Sequence, residues 1–351
     1  MCPARPKPPA RRTSPTRTRL RWAASLVTVT AVGSLVLGQA PVEPSPAAPS
    51  GGTSIQMVAA TKVELLRRKG SVEGDGRTVY VANGTEFRPR RTIVAVPPRV
   101  RARSWAVVDL DTGRLLGKHR ARTQLPQAST MKLLTAVTAT RTIDRGTRYR
   151  VSRYDTSQVC SCSGIQRGRV YTRDTLLKAM LLPSGNDAAE AVAGAHPAGR
   201  WAFYDAMNDV ARELGASDTV ARNASGLTAE GSHSSARDLV LLLRAALADE
   251  TVRGILGMRS AVIATANGRH RHRVWRSTDY VNEYAGSLGK SGWTTPAQNT
   301  LVVVTEIEGR QIAVASLGAP SGYSTSGARA LTEWASENFD GLKAVGRLPL
   351  S

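Results

Sequence analysis

Apolar and polar positions follow two rhythms along this 351-residue chain, and both become regular only from about residue 101 to about residue 345. The regular part opens with Trp105-Ala-Val-Val-Asp-Leu110, then Asp111-Thr-Gly113, then Arg114-Leu-Leu-Gly117. Two apolar runs across an Asp-Thr-Gly turn predict a β-hairpin. Apolar residues three or four apart then predict helices over 129–142, 172–182, 188–195, 201–214 and 236–248. Residues 299–307 and 311–317, joined by Glu308-Gly309-Arg310, predict a second hairpin, and 326–339 a closing amphipathic helix. Strands at both ends of a helical middle imply an α+β domain whose first and last hairpins pair in one antiparallel sheet. No internal repeat is visible.

Ahead of residue 101 the texture differs. The first 22 residues hold seven Lys/Arg and no acid, residues 22–37 are apolar, and Gly38-Gln-Ala40 supplies small residues at a cleavage position. Residues 1–40 therefore read as a secretory signal or an uncleaved N-terminal membrane anchor. Pro, Ala, Ser and Gly dominate residues 41–60, a tether composition. Residues 61–100 are expected to form a partly ordered basic extension: Val79-Tyr-Val81 and Ile93-Val-Ala-Val96 resemble short strands, but Arg and Pro interrupt them.

The net charge is +21, with 41% hydrophobic and 5% aromatic residues. This composition supports a core built mainly of Ala, Val and Leu. The positive surplus suits an acidic wall or an anionic membrane face, and no nucleic-acid-binding motif accompanies it. Cys160-Ser-Cys162 is the cysteine step outside the leader. It predicts two loop thiols, either free or in a strained pair, and no matching second pair suggests a metal site.

Three segments carry candidate chemistry. In Gln127-Ala-Ser129-Thr-Met-Lys132-Leu-Leu, Lys132 lies three residues after Ser129 and so on the same helical face. A lysine drawn into the interior loses hydration, its pKa falls, and a neutral amine can take the serine proton. Leu181-Leu-Pro-Ser184-Gly-Asn186-Asp187 joins two predicted helices. There Ser184 could relay a proton, and the Asn186 carboxamide could hold a substrate amide. The same residue types would also serve as helix caps. Gly289-Lys290-Ser291-Gly292-Trp293 precedes the strand at 301–304, where a lysine and a hydroxyl suit recognition of a carboxylate. The backbone N–H groups of Ser129 and Trp293 would form an oxyanion hole.

Taken together these segments resemble the Ser-x-x-Lys, Ser-x-Asn and Lys-Thr-Gly set of penicillin-binding proteins and class A β-lactamases. The chain is similar to the low-molecular-mass penicillin-binding proteins that are serine-type D-alanyl-D-alanine carboxypeptidases, the S11 peptidases. The likeness covers about residues 104–340 and includes Asn223-Ala-Ser-Gly-Leu227 and His233-Ser-Ser-Ala-Arg-Asp238. It implies a five-stranded antiparallel sheet flanked by helices, an all-helical lobe, and a cleft between them. It further implies Ser129 as the acylated nucleophile, Lys132 as its base, and Ser184 and Asn186 as the relay and substrate-binding pair. Lys290, with Ser291, would hold the terminal carboxylate of a D-Ala-D-Ala stem peptide.

No metal or organic cofactor is implied, and β-lactams are expected ligands. The third segment departs from the family by carrying Ser291 where Thr is usual. The family's small β-domain and amphipathic C-terminal anchor have no counterpart, so any membrane attachment is expected at the N-terminus. The alternatives are a DD-endopeptidase acting on cross-links, a β-lactamase, and a non-catalytic wall-binding protein. Anionic wall polymers are expected partners of residues 61–100. His233 reads as structural, and Arg269-His-Arg-His-Arg273 as a solvated strand or loop face.

Overall fold

The computed structural model describes residues 97–159 and 161–349. The leader, the tether, Cys160 and the basic extension up to residue 96 lie outside them. Strands β1 (Ser104–Asp109) and β2 (Arg114–His119) form the first hairpin. A 3-10 turn, Ala128–Met131, leads into helix α1 (Lys132–Thr142). The helical lobe continues with β3 (Arg148–Arg150), α2 (Arg153–Thr156), β4 (Val170–Thr172), α3 (Arg173–Leu181), α4 (Asn186–Gly194), α5 (Gly199–Glu213), α6 (Ala236–Ala248) and α7 (Glu250–Gly257). A hairpin of β5 (Ser260–Ala264) and β6 (Arg271–Trp275) and the short helix α8 (Asp279–Glu283) lead back to the sheet. The chain closes with β7 (Leu288–Thr294), β8 (Gln298–Ile307), β9 (Arg310–Ala319), α9 (Ser324–Asn338) and β10 (Gly346–Arg347).

The main sheet has the order β10-β2-β1-β9-β8-β7. The first and last hairpins meet as expected, with Val107 opposite Val314 and Val108 opposite Ala313. The expected five strands are joined by a sixth, the two-residue β10, which pairs with β2. Successive residues of the central strands bury in two different cores, which is why these strands read as unbroken apolar runs. Ala106, Val108, Val302 and Ala313 face the helical lobe. Trp105, Val107, Leu301, Val303, Ile312 and Val314 face the opposite core, with Leu331, Trp334 and Ala335 of α9 and Tyr280 of α8. The sheet is therefore clamped between two helical layers, and β7 ends it as the edge strand nearest α1 and the 3-10 turn.

Local chemistry accounts for the helix starts. Thr172 and Ser235 accept from the backbone N–H three residues on and cap α3 and α6. Helix α4 starts differently. Its cap is Gly185 without a side-chain bond, which leaves Asn186 for another task.

Leu331 is fully buried on α9, far along the sheet from the candidate residues. Leu331→Ala should lower unfolding free energy by about 2–5 kcal/mol, read by urea denaturation. A loss under about 1 kcal/mol would mean that this layer is not part of the core.

Candidate active site

Ser129 is the second residue of the 3-10 turn, a step before the α-helix itself. This differs from the expected first turn of a single helix over 129–142, because Ala128 adopts a left-handed φ of 50° and the chain enters α1 through a tighter turn. The turn is pinned from several sides. Thr130 Oγ1 and Thr300 Oγ1 both donate to Gln127 O, at 2.6 and 2.9 Å, and Gln127 Nε2 donates to Ser232 Oγ at 3.0 Å. Two glycines permit the close fit. A Cβ on Gly226 would lie 2.0 Å from Ala128 O, and one on Gly292 would lie 2.6 Å from Ser129 N.

Lys132 is fully buried, and its Nζ has three neighbours: Ser129 Oγ at 2.7 Å, Asn186 Oδ1 at 2.8 Å and Ser225 O at 2.6 Å. Asn186 Oδ1 and Ser225 O can only accept, whereas a serine hydroxyl can donate. A neutral amine has two N–H bonds and one lone pair. It satisfies all three neighbours when both hydrogens go to the oxygens and the lone pair faces the Ser129 hydroxyl. Burial pushes the Lys132 pKa well below its ordinary value, and the charge of Lys290 pushes it further; Glu190 and Asp187 oppose the shift. Geometry and electrostatics thus both allow Lys132 to accept a proton from Ser129.

Asn186 also has a structural task. Its Oδ1 is taken by Lys132, and its Nδ2 donates to Val159 O at 2.6 Å, so the carboxamide ties the base to the loop at 159–163. That loop also accepts from Asn186 N through Ser161 O at 2.8 Å, and Ser163 N donates to Asp187 Oδ1 at 2.8 Å. Cys162 therefore sits in a loop that borders the cleft. Cys162 is disulfide-bonded, which leaves the paired of the two readings for this residue.

Lys290 is also fully buried. Its Nζ donates to Ser184 Oγ at 2.9 Å and to Ser291 O at 2.6 Å, and burial lowers its pKa to about 7. Ser184 sits at φ 63°, a conformation that costs a non-glycine residue about 1–3 kcal/mol and that turns the hydroxyl toward Lys290. Ser291 Oγ lies 3.3 Å from Thr278 Oγ1 at the start of α8. Trp293 follows Gly292, the residue packed on Ser129 N, so its peptide is held beside the turn, and its ring is exposed.

Two clusters result, Ser129–Lys132–Asn186 and Ser184–Lys290–Ser291, joined through adjacent residues of one loop and by the contact between β7 and the turn. Sequence reasoning missed Ser225 and Glu190. Ser225 contributes a carbonyl, which no side-chain pattern reveals. Glu190 is buried, and its Oε1 accepts from Ala224 N and Ser225 N at 3.1 and 3.2 Å, which aims that carbonyl at Lys132. His233 pairs through its backbone with Val220. The run Arg269–Arg273 is exposed, as expected, and the exposed His272 also reaches Ser163 O with Nε2 at 2.7 Å. Among the described residues, no group of three His, Cys, Asp or Glu side chains could hold a metal ion.

Sequence and fold are similar to those of known proteins. A family profile described as D-alanyl-D-alanine carboxypeptidase matches residues 91–321. The D-alanyl-D-alanine carboxypeptidase DacB2 of Mycobacterium tuberculosis is 36% identical over 220 residues, 62% of this chain and 74% of that protein. A D-alanyl-D-alanine endopeptidase of Escherichia coli is 29% identical over 238 residues, 65% of this chain and 75% of that protein. The crystal structure of a D-alanyl-D-alanine carboxypeptidase from M. tuberculosis superposes with a TM-score of 0.66 at 32% identity, covering 72% of this chain and 97% of that one.

Because a Cβ at Gly292 meets the backbone of Ser129, Gly292→Ala should displace the hydroxyl from its place beside Lys132. Acylation of Ser129 by a fluorescent penicillin should slow by about 10²-fold, the scale of a 1 Å misplacement, while circular dichroism stays unchanged. Acylation at the parent rate would show that the close packing of β7 on the turn does not position the serine.

Proposed function

The chain belongs to the D-alanyl-D-alanine carboxypeptidase family of serine peptidases, and from that premise we propose that it releases the terminal D-alanine of peptidoglycan stem peptides with Ser129 as nucleophile and neutral Lys132 as base. The observation that carries the assignment is the three-way bonding of Lys132 Nζ, which leaves its lone pair facing Ser129 Oγ.

The steps follow from the two buried lysines. Protonated Lys290, with Ser291, holds the carboxylate of the last D-alanine. Ser129 Oγ attacks the carbonyl of the penultimate residue as its proton passes to Lys132 Nζ. The N–H groups of Ser129 and Trp293 receive the oxyanion, each worth about 2.7–4 kcal/mol in the transition state. Lys132 and Lys290 repel each other when both are charged. Protonating Lys132 therefore favours loss of a proton from Lys290, which passes through Ser184 to the departing amine. The amine leaves as D-alanine, and a neutral Lys290 no longer grips its carboxylate. Once Lys132 has lost its proton and Lys290 has regained one, water attacks the acyl carbonyl, giving a proton to Lys132 that returns to Ser129 Oγ as the ester bond breaks. A β-lactam enters by the same attack, its ring amide standing for the D-Ala-D-Ala bond.

A DD-endopeptidase reading uses the same groups on a cross-linked donor, and the similarity to the E. coli endopeptidase supports keeping it. A β-lactamase needs a free carboxylate to activate water. Glu190 is engaged by two backbone N–H groups and Tyr204, and Asp187 by Ser163 and Ala188, which argues against that reading. The Arg-rich start and the apolar stretch 22–37 support export to the outer face of the membrane or the wall. The basic segment up to residue 100 would add attraction to anionic polymers.

Two outcomes test the assignment. A fluorescent penicillin should label the parent protein and leave folded Ser129→Ala unlabelled, and mass analysis of intact muropeptides should show loss of single D-alanines; an unlabelled, correctly folded parent would refute the acyl-enzyme, and cleaved cross-links alone would favour the endopeptidase. The pH profile carries the sign. Lys132 must be neutral, so kcat/KM rises as pH climbs through its lowered pKa, and Lys290 must be charged, so kcat/KM falls as pH climbs through about 7. Lys290→Arg keeps its charge and should move the falling limb upward by more than two pH units; an unmoved limb would remove Lys290 from carboxylate binding.

A further inference from the structure

The outer face of the β5–β6 hairpin is not used by the acyl-transfer chemistry. Pairing sets Ser260 opposite Trp275, Val262 opposite Arg273 and Ala264 opposite Arg271, so these side chains share one face. On the other face Ala261, Ile263 and Val274 are buried in the core of the helical lobe, and His272, itself exposed, reaches Ser163 O. Which residues point outward is therefore settled by packing.

Arg271 and Arg273 are exposed on that face, with exposed Arg269 in the turn before β6 and exposed Arg259 just before β5. Arg276 joins them through its N–H to Arg259 O at 2.9 Å, and burial together with the charge of Arg259 lowers its guanidinium pKa. No Asp or Glu occurs between Glu250 and Asp279. Among the described residues none of these five arginines meets a carboxylate. Exposed arginines elsewhere do, as in Arg122–Asp218, Arg310–Asp340 and Arg329–Glu283. The hairpin thus concentrates positive charge without compensation.

The layout says what would neutralise it. Alternate residues of a strand stand about 6.6–6.8 Å apart, so Arg271 and Arg273 form a row that Arg269 extends. Guanidinium groups take phosphate oxygens in pairs. Val262 and Trp275, 45% and 60% exposed, add apolar surface beside the row for the carbon backbone between phosphates. A face built for a lipid surface would instead place its cations around an apolar centre. Through His272 and Ser163 the hairpin abuts the loop that holds Asp187 and Asn186, so a polymer lying on it would run beside the cleft.

We propose that this face binds an extended polyol-phosphate chain of the cell wall and so holds the enzyme next to the peptides it trims. The inference concerns binding and goes beyond hydrolysis, so it can fail while the roles of Ser129 and Lys132 stand. The test uses the full chain and a glycerol-phosphate polymer, with affinity followed against salt for the parent and for R271S/R273S. Turnover of a small D-Ala-D-Ala tripeptide serves as the folding control.

The double variant should bind about tenfold more weakly at low salt, with a log–log salt slope shallower by about 1.4, two contacts at about 0.7 each, and tripeptide turnover unchanged. R259S/R269S, outside the paired strands, should weaken binding in the same direction and covers the case of a misfolded hairpin. Equal affinity of parent and variants would overturn the proposal. So would a loss confined to phosphatidylglycerol vesicles with polymer binding intact, which would make the face a lipid-docking surface.

Discussion

Two lysine side chains are buried beside one another without a carboxylate in contact with either, and the rest of the site is arranged around that constraint. An ammonium group taken out of water is costly unless a counter-charge or a full set of acceptors replaces its hydration. Lys132 meets two carbonyl-type oxygens and one hydroxyl. This set completes a neutral amine and leaves its lone pair on the Ser129 hydroxyl. Lys290 meets one hydroxyl and one carbonyl, which leaves room for an incoming carboxylate to stabilise its charged form. Similar side chains thus acquire opposite duties from their partners, the pattern by which environments push two titratable groups apart.

The nearby carboxylates support this arrangement from a distance. Glu190 and Asp187 are buried, and both bind backbone N–H groups: Glu190 those of Ala224 and Ser225, Asp187 those of Ser163 and Ala188. They fix the two loops that deliver a carbonyl and a carboxamide to Lys132. Direct contact with the ammonium would instead hold the base protonated. The sheet completes the frame, since β7 presses Gly292 against the serine's own peptide and carries Lys290 on the same edge.

Much of this was legible in the sequence, for physical reasons. Helix α6 was read to its ends because its apolar stripe runs its full length, and the sheet followed from hairpins at both ends of a helical middle. The three motifs placed Ser129, Lys132, Ser184, Asn186 and Lys290 in one site. What escaped was contributed by backbone or by tertiary packing. The carbonyls of Ser225 and Val159 have no side-chain signature, so the ties of Asn186 to Lys132 and the rim loop were not foreseen. The 3-10 turn under Ser129 depends on contacts with Gly226 and Gly292, distant in the chain. The contact of the exposed His272 with Ser163 O had no signal in the sequence.

The central claim is that Lys132 is neutral in the resting enzyme. The chain has eight lysines, few enough for nuclear magnetic resonance of protein labelled at the lysine side chains, with Lys132→Arg and Lys290→Arg assigning the two buried signals. The account predicts that the Lys132 signal titrates well below the ordinary lysine range, while that of Lys290 changes near pH 7. A Lys132 signal that stays protonated up to about pH 10, the value of an exposed lysine, would contradict it.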